Sequence, residues 1–239
     1  AYGHTPLRMG SGELSDSLAL DDITEFSKDL VSFANQHANV VLELKTKTTR
    51  IENLLALKHN GNTVVAFSIN PTTHIENEEF KCASLADRLS AAQKCADNGY
   101  PIGLHLDPIL FSNDWKERYT QLIDDVASVL KPNEIAWISM GTLRFTKGLK
   151  KITDDRFPKS TIMTTELFPS SDGKIRTFRP LREEMYRHIK DALADQLPAV
   201  PVYLCMETRT VWENVFGQAP RNNEEIHEML VKKWMNHTC

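Results

Sequence analysis

A chain of 239 residues with 41% hydrophobic content is long enough to bury one sizeable core. Its formal net charge of −4 excludes overall attraction to nucleic acid, no run approaches the ~18 apolar residues of a membrane span, and no secretory segment opens it. The four cysteines, Cys82, Cys95, Cys205 and Cys239, show no zinc-knuckle, redox-pair or cluster-triplet spacing, so a reduced, cytoplasmic protein is expected.

Residues 7–10 read as a very short strand, followed by a glycine-containing turn through Glu13. Ile23, Phe26, Leu30 and Phe33 recur at helical spacing and predict a helix over 21–37. Residues 40–44 are apolar and partly β-branched, hence a strand. A short helix over 51–57 stops at His59-Asn60-Gly61-Asn62, a turn-forming run. Residues 63–69 form the next strand, apolar on both faces as a buried parallel strand requires.

A helix over 84–97 carries Leu85, Leu89 and Ala92 as its apolar stripe and stops at Asn98-Gly99. A strand over 101–106, a helix over 115–130 closed by Pro132, and a strand over 135–140 follow. Residues 145–155 read as a basic helix, 161–166 as a strand, 170–174 as a turn and 180–197 as a long amphipathic helix. A last strand over 200–206 and a helix over 224–236 close the chain.

Six apolar runs, 40–47, 63–70, 101–107, 134–141, 161–166 and 200–207, thus end in polar or reactive residues, most with a helical stretch between them. This alternation is the mark of repeated β-α units and a mostly parallel α/β sheet, read as a single domain over 1–239. Chemistry in such sheets collects at the carboxyl ends of the strands. Charge is uneven: residues 144–190 hold twelve Lys/Arg against six Asp/Glu, a net +6 that leaves −10 elsewhere. Such a segment is either a basic face beside one edge of the fold or a solvated helix surface.

Gly10-Ser11-Gly12-Glu13 follows the first strand; its glycines permit close backbone approach and its carboxylate can accept from an ammonium group. Lys47 ends the second strand, and Ser68 and Asn70 end the third. A carboxylate, an ammonium and a hydroxyl at successive strand ends suit a zwitterionic, ribose-bearing ligand such as S-adenosylmethionine. Each has a plain alternative: Ser15 as a helix cap, Lys47 as a solvated strand end, Ser68 as a hydroxyl bonded to backbone.

The stretch Arg8-Met9-Gly10-Ser11-Gly12-Glu13-Leu14-Ser15-Asp16 resembles radical S-adenosylmethionine enzymes of the spore photoproduct lyase family. So do 43–47, 54–61, 66–70, 91–108, Arg144-Phe145-Thr146-Lys147 and Tyr203-Leu204-Cys205-Met206-Glu207, in the same order along the chain. The resemblance implies a partial (β/α)6 TIM-like barrel that binds S-adenosylmethionine and a [4Fe–4S] cluster, and a radical lyase activity on a DNA photolesion or related substrate. It implies electrons from a flavodoxin or ferredoxin.

Carried over by position, Ser15, Lys47 and Ser68 become cofactor contacts, and Glu13 falls at the glycine-glycine-glutamate motif of the wider superfamily. Arg144, Lys147, Arg176, Arg179 and Arg182 become candidates for gripping DNA phosphate, and His105 and Asp107 candidates for substrate. A lesion base must leave the stack to reach such a cavity.

The chain departs from the family twice. The cluster's cysteine triplet has no counterpart in this sequence, and the family places it upstream of the first strand. A chain that lacks its first βα unit, inactive alone, is therefore expected, in line with a start at Ala1. Glu13 also occupies the position of the family's hydrogen-donating cysteine, leaving Cys205 as the replacement donor or as a small core residue. Two rival readings stand beside the radical enzyme: a nucleic-acid-binding protein on the same scaffold without turnover, and a barrel hydrolase or lyase using His105, Asp107 and Glu166.

Overall fold

The computed structural model describes residues 7–13 and 15–235; Leu14, Asn236 and Cys239 of the stretches singled out above lie outside them. The first half alternates strands and helices: β1 (Leu7–Ser11), α1 (Asp21–Thr24), α2 (Phe26–Gln36), β2 (Val40–Thr46), α3 (Glu52–Leu55), β3 (Thr63–Ser68), α4 (Thr72–Glu78) and α5 (Leu85–Asp97). Then come β4 (Ile102–Ile109), α6 (Trp115–Val129), β5 (Ile135–Thr142), β6 (Arg144–Thr146) and α7 (Leu149–Arg156). The chain ends with β7 (Leu167–Pro169), β8 (Lys174–Thr177), α8 (Arg179–Gln196), β9 (Val202–Leu204), α9 (Arg209–Phe216) and α10 (Asn223–Met235).

β1-β2-β3-β4-β5-β9 form one all-parallel sheet in that order. Every residue of β3 and β5 is buried, which is why those runs read as apolar without alternation. Helices α2, α5 and α10 pack on the outer face, against β2, β3 with β4, and β5. The sheet is strongly curled. Five strand spacings would separate β1 from β9 by roughly 24 Å in a flat sheet. Yet the Arg8 guanidinium on β1 donates to the Tyr203 hydroxyl on β9 at 3.2 Å. The result is a partial barrel: the α/β pattern predicts its parallel sheet, and the family resemblance implies its closure.

Three expectations are corrected. Residues 161–166 are no strand: Thr164 N–H turns back onto the Thr161 carbonyl, and Thr161 N–H and hydroxyl donate to Glu78. The sheet's six strands are completed by β1, while the basic region builds a second, antiparallel sheet β6-β8-β7. Met163, from the expected strand, packs in a satellite core with Leu110, Leu143 and Phe145.

The single helix expected over 21–37 breaks at Glu25, which is left-handed at φ 52°. Buried Asp21 explains the break, because its carboxylate accepts from Ser27 N–H at 2.8 Å and Ser27 Oγ at 2.6 Å and so starts α2 afresh. The basic helix expected over 145–155 gives up its first residues to β6, leaving α7.

No described helix is long and apolar enough to cross a membrane. Inside the barrel, Gly103 of β4 lies where a Cβ would stand 2.9 Å from Ala66 Cβ and 3.2 Å from Trp137 Nε1. Neither neighbour is the loose end of a flexible chain. Gly103→Ala is expected to destabilise the fold by about 1–3 kcal/mol through overpacking, read from urea unfolding.

Candidate functional site

Side chains alternate across a strand, so the residues facing the barrel interior rise in layers from the amino to the carboxyl ends. The lower layer is a closed polar network. Glu43 on β2 accepts from Arg8 Nε at 3.0 Å, His105 Nε2 at 2.8 Å and Trp137 Nε1 at 3.0 Å. The Arg8 guanidinium also lies over the Trp137 and Tyr203 rings, at 5.1 and 5.6 Å from their centroids. Burial pushes the Glu43 carboxyl up, but the hydrogen bond and charge of His105, the charge of Arg8 and the Trp137 N–H together bring it down to about 2.

Above this layer opens a pocket of about 350 Å³ at the strand ends. The β1–α1 loop contributes Gly12, Glu13 and Ser15; β2 contributes Lys45 and the following Lys47; β3 and β4 contribute Ser68 and Asp107. The loop can lie this close only because residue 12 is glycine, with φ of +90° and a Cβ position 2.6 Å from the Lys45 carbonyl. Asp16 fastens it: its carboxylate accepts from Thr46 Oγ1 and Lys47 N–H, both at 2.7 Å, and from Leu18 N–H at 2.9 Å.

The Lys47 ammonium pairs with Glu79 at 2.9 Å. Glu79 also holds fully buried Arg88 at 2.7 Å, and Arg88 donates to the Ser68 carbonyl at 2.8 Å. Burial raises the Glu79 carboxyl, yet Lys47 and Arg88 outweigh it and the net shift is downward. Lys47 and Ser68 are thus fixed by one shared set of charges.

Arg144 donates to both Asp107 oxygens, at 2.9 and 2.8 Å, and to Cys205 Sγ at 3.3 Å. Burial, then the Asp107 charge, pushes the Cys205 thiol up to about 11, and Glu13 is near enough to add to this. Cys205 is therefore a protonated thiol at neutral pH.

The structure brings Glu13, Ser15, Lys47, Ser68 and Asp107 to one pocket, with Cys205 and Arg144 beside Asp107. It does not bring His105 there, since that ring is buried one layer lower against Glu43. Arg176 and Arg182, expected to face DNA, are also corrected. Arg176 is buried and pairs with Asp172 at 2.5 Å; Arg182 is buried and donates to Glu207 at 3.1 Å and the Thr177 carbonyl at 3.0 Å. Arg179 and Lys147 are exposed.

Glu166 is exposed ahead of β7, and no three His, Cys, Asp or Glu side chains among the described residues gather to hold a metal. Of the three residues the hydrolase reading uses, only Asp107 lines the strand-end pocket. The sequence reading missed Asp16, Glu43, Glu79 and Arg88. Only Glu43 left a signal, as a lone carboxylate inside the apolar run Val40-Val41-Leu42-Glu43-Leu44.

Comparison with known proteins agrees with this fold. The sequence profile of the family described as spore photoproduct lyase matches residues 5–176. Spore photoproduct lyase of Geobacillus sp. (strain Y412MC61) is 31% identical over 150 residues, 62% of this chain and 44% of its own. The Bacillus subtilis (strain 168) enzyme is 32% identical over 154 residues, covering 64% and 45%. The chain therefore spans less than half the length of these relatives. A solved spore photoproduct lyase complexed with dinucleoside spore photoproduct superposes with a TM-score of 0.77 at 25% identity, over 84% of this chain and 62% of that one. Streptococcus suis SuiB shares the fold, with a TM-score of 0.52 at 11% identity over 87% and 40%.

Glu43 carries a testable consequence. Glu43→Gln leaves the Arg8 charge without its partner, and a loss near the lower end of the ~3–5 kcal/mol for a broken buried pair is expected, since Arg8 is partly exposed. A depressed folded value means that the stability Glu43 supplies is full above its ordinary value of 4.5 and fades as pH falls toward about 2. Urea midpoints at pH 7 and pH 3 should therefore converge between wild type and variant at the lower pH.

Proposed function

Because this chain belongs to the spore photoproduct lyase family, we propose that it forms the S-adenosylmethionine-binding barrel of a radical lyase that acts on a photolesion in DNA. The observation that carries this reading is the convergence of Glu13, Ser15, Lys47 and Ser68 on one pocket at the strand ends. Its volume of about 350 Å³ falls at the small end of ligand sites, ~300–1,000 Å³.

The donor set fits the cofactor's zwitterion. Glu13 takes the ammonium, Lys47 the carboxylate, and Ser15 and Ser68 offer hydroxyls to carboxylate or ribose oxygens. Bound S-adenosylmethionine supplies a 5′-deoxyadenosyl radical as hydrogen-atom abstractor. A [4Fe–4S] cluster does not fit the described residues. Cys82 is exposed, Cys95 is buried in the core, Cys205 stands beside Arg144, and no cluster-like group of ligands exists among them. In the whole protein a flavodoxin or ferredoxin supplies electrons in a reducing cytoplasm.

Cys205 is the chain's hydrogen-atom donor in this reading. Glu13 replaces the family's cysteine, and a carboxyl O–H bond is too strong to give its hydrogen atom to a carbon radical. A thiol kept protonated beside Asp107 retains the weaker S–H bond the step needs. Exposed Lys147 and Arg179 contact phosphate at the rim, and Arg144 with Asp107 shapes the wall that substrate meets.

Calorimetric titration of this chain with S-adenosylmethionine tests the cofactor site directly. Saturable binding, weakened at least tenfold (about 1.4 kcal/mol) by Lys47→Ala, is expected; a folded chain that binds none overturns the reading. Thiol alkylation tests Cys205. In a Cys82→Ser, Cys239→Ser background its rate should climb with pH toward about 11, and Asp107→Asn should move that rise to lower pH by removing the charge that opposes the thiolate.

A further inference from the structure

We propose that a second cavity, between α4, the connection from β4 to α6 and the 161–165 loop, binds a single neutral nucleobase ring. The ring would belong to a nucleotide flanking the one engaged at the strand ends, a placement that rests on the DNA reading above. The cavity holds about 210 Å³, below the ~300 Å³ where pockets for drug-sized ligands begin, which suits one ring system rather than a whole cofactor.

Its chemistry is that of a base site. His74 of α4 lines the cavity, is 8% exposed, and its Nδ1 has no hydrogen-bond partner. A buried polar atom left this way is costly unless a ligand or water answers it. Burial and the neighbouring Arg118 lower the His74 value, which favours the neutral imidazole with its one donor and one acceptor. Asn77 adds an amide, which also offers both. Leu110, Leu143 and Ile162 give apolar walls, and half-buried Phe111 gives a face on which a ring can stack.

Charge at the site favours a neutral guest over an ion. Arg118 is already held by Asp114 at 2.7 Å and by the Thr73 hydroxyl. Glu78 is used up by Ser160 Oγ at 2.5 Å and by Thr161 N–H and Oγ1 at 2.8 and 3.0 Å. A free anion would meet the Glu78 carboxylate, and a cation would meet Arg118. A base edge can use the His74, Asn77 and Thr165 groups without paying for either charge.

Position ties the cavity to the first pocket. Ser68 and Asp107 line the first; His74 follows Ser68, and Leu110 follows Asp107, within two turns of chain on the same strand exits. Adjacent sites at neighbouring strand ends can receive adjacent nucleotides of one strand.

Proton NMR of the whole chain tests this with thymidine and deoxyadenosine as probes and inorganic phosphate as the competing chemistry. The His74 ring resonance, identified by its loss in His74→Phe, should shift saturably with at least one nucleoside. Asn77→Ala, at an exposed position, and Phe111→Ala should each weaken that binding at least fivefold without unfolding the chain. Phosphate shifting His74 while both nucleosides leave it unmoved would overturn the proposal in favour of an anion site. Nucleoside affinity unchanged in both variants would overturn it too, and leaves S-adenosylmethionine binding at the first pocket untouched. A chain that binds nucleosides at His74 yet never binds S-adenosylmethionine would uphold this cavity while the reading of the first pocket fails.

Discussion

The hydrogen bonds that converge on Glu43 are the constraint on which the rest of the barrel depends. In a flat sheet three strand spacings would hold β2 and β5 roughly 14 Å apart, yet Trp137 Nε1 reaches Glu43 at 3.0 Å. His105 reaches it from β4 and Arg8 from β1. Only a curled sheet satisfies all three, and only these donors make burying the carboxylate tolerable, because an unpaired buried charge costs several kcal/mol. Curvature and network require each other. Replacing the pair with packed apolar residues could be as stable, but would not dictate which strands meet.

That closed lower layer gives the upper pocket its floor. With Arg8, Glu43 and His105 spending their polar atoms on one another, the groups left for a ligand are those one step further along each strand. They are held by a second, separate set of contacts. Asp16 fixes the glycine loop to the end of β2, and Glu79 with Arg88 fixes Lys47 and the Ser68 carbonyl. The ammonium of Lys47 therefore has an internal partner before any ligand arrives. Engaging a ligand carboxylate means sharing or exchanging that partner, which tempers affinity and makes Glu79 part of the site's electrostatics.

What the sequence made legible and what it hid divide along physical lines. Strands such as β3 and β5 were plain because burial on both faces demands apolar runs. Glu13, Lys47 and Ser68 could be placed at strand ends because the β-α alternation fixes where those ends fall. Asp16 and Glu79 stayed hidden, since each acts through a fold-made contact, Asp16 on Lys47 some thirty residues away and Glu79 on Lys47 from α4's far end. The 161–166 segment misled because threonine and isoleucine favour strands, whereas Glu78 captures its backbone in a turn. His105 misled by one layer: its strand was right, and its side chain answers Glu43 rather than the mouth.

The same distinction changes the meaning of the basic segment. Its net +6 reads as a nucleic-acid grip when every cation is counted alike. The structure buries Arg176 and pairs it with exposed Asp172, pairs Arg182 with buried Glu207, and spends Arg144 on Asp107. Lys150 shares its charge with Asp154 on the surface of α7. Exposed Arg179 likewise lies 3.8 Å from Glu183, whereas Lys147 stays outside these pairs, and each phosphate contact adds only about one unit to the salt dependence of nucleic-acid binding. The net charge of the segment therefore overstates the cations free to meet a phosphate.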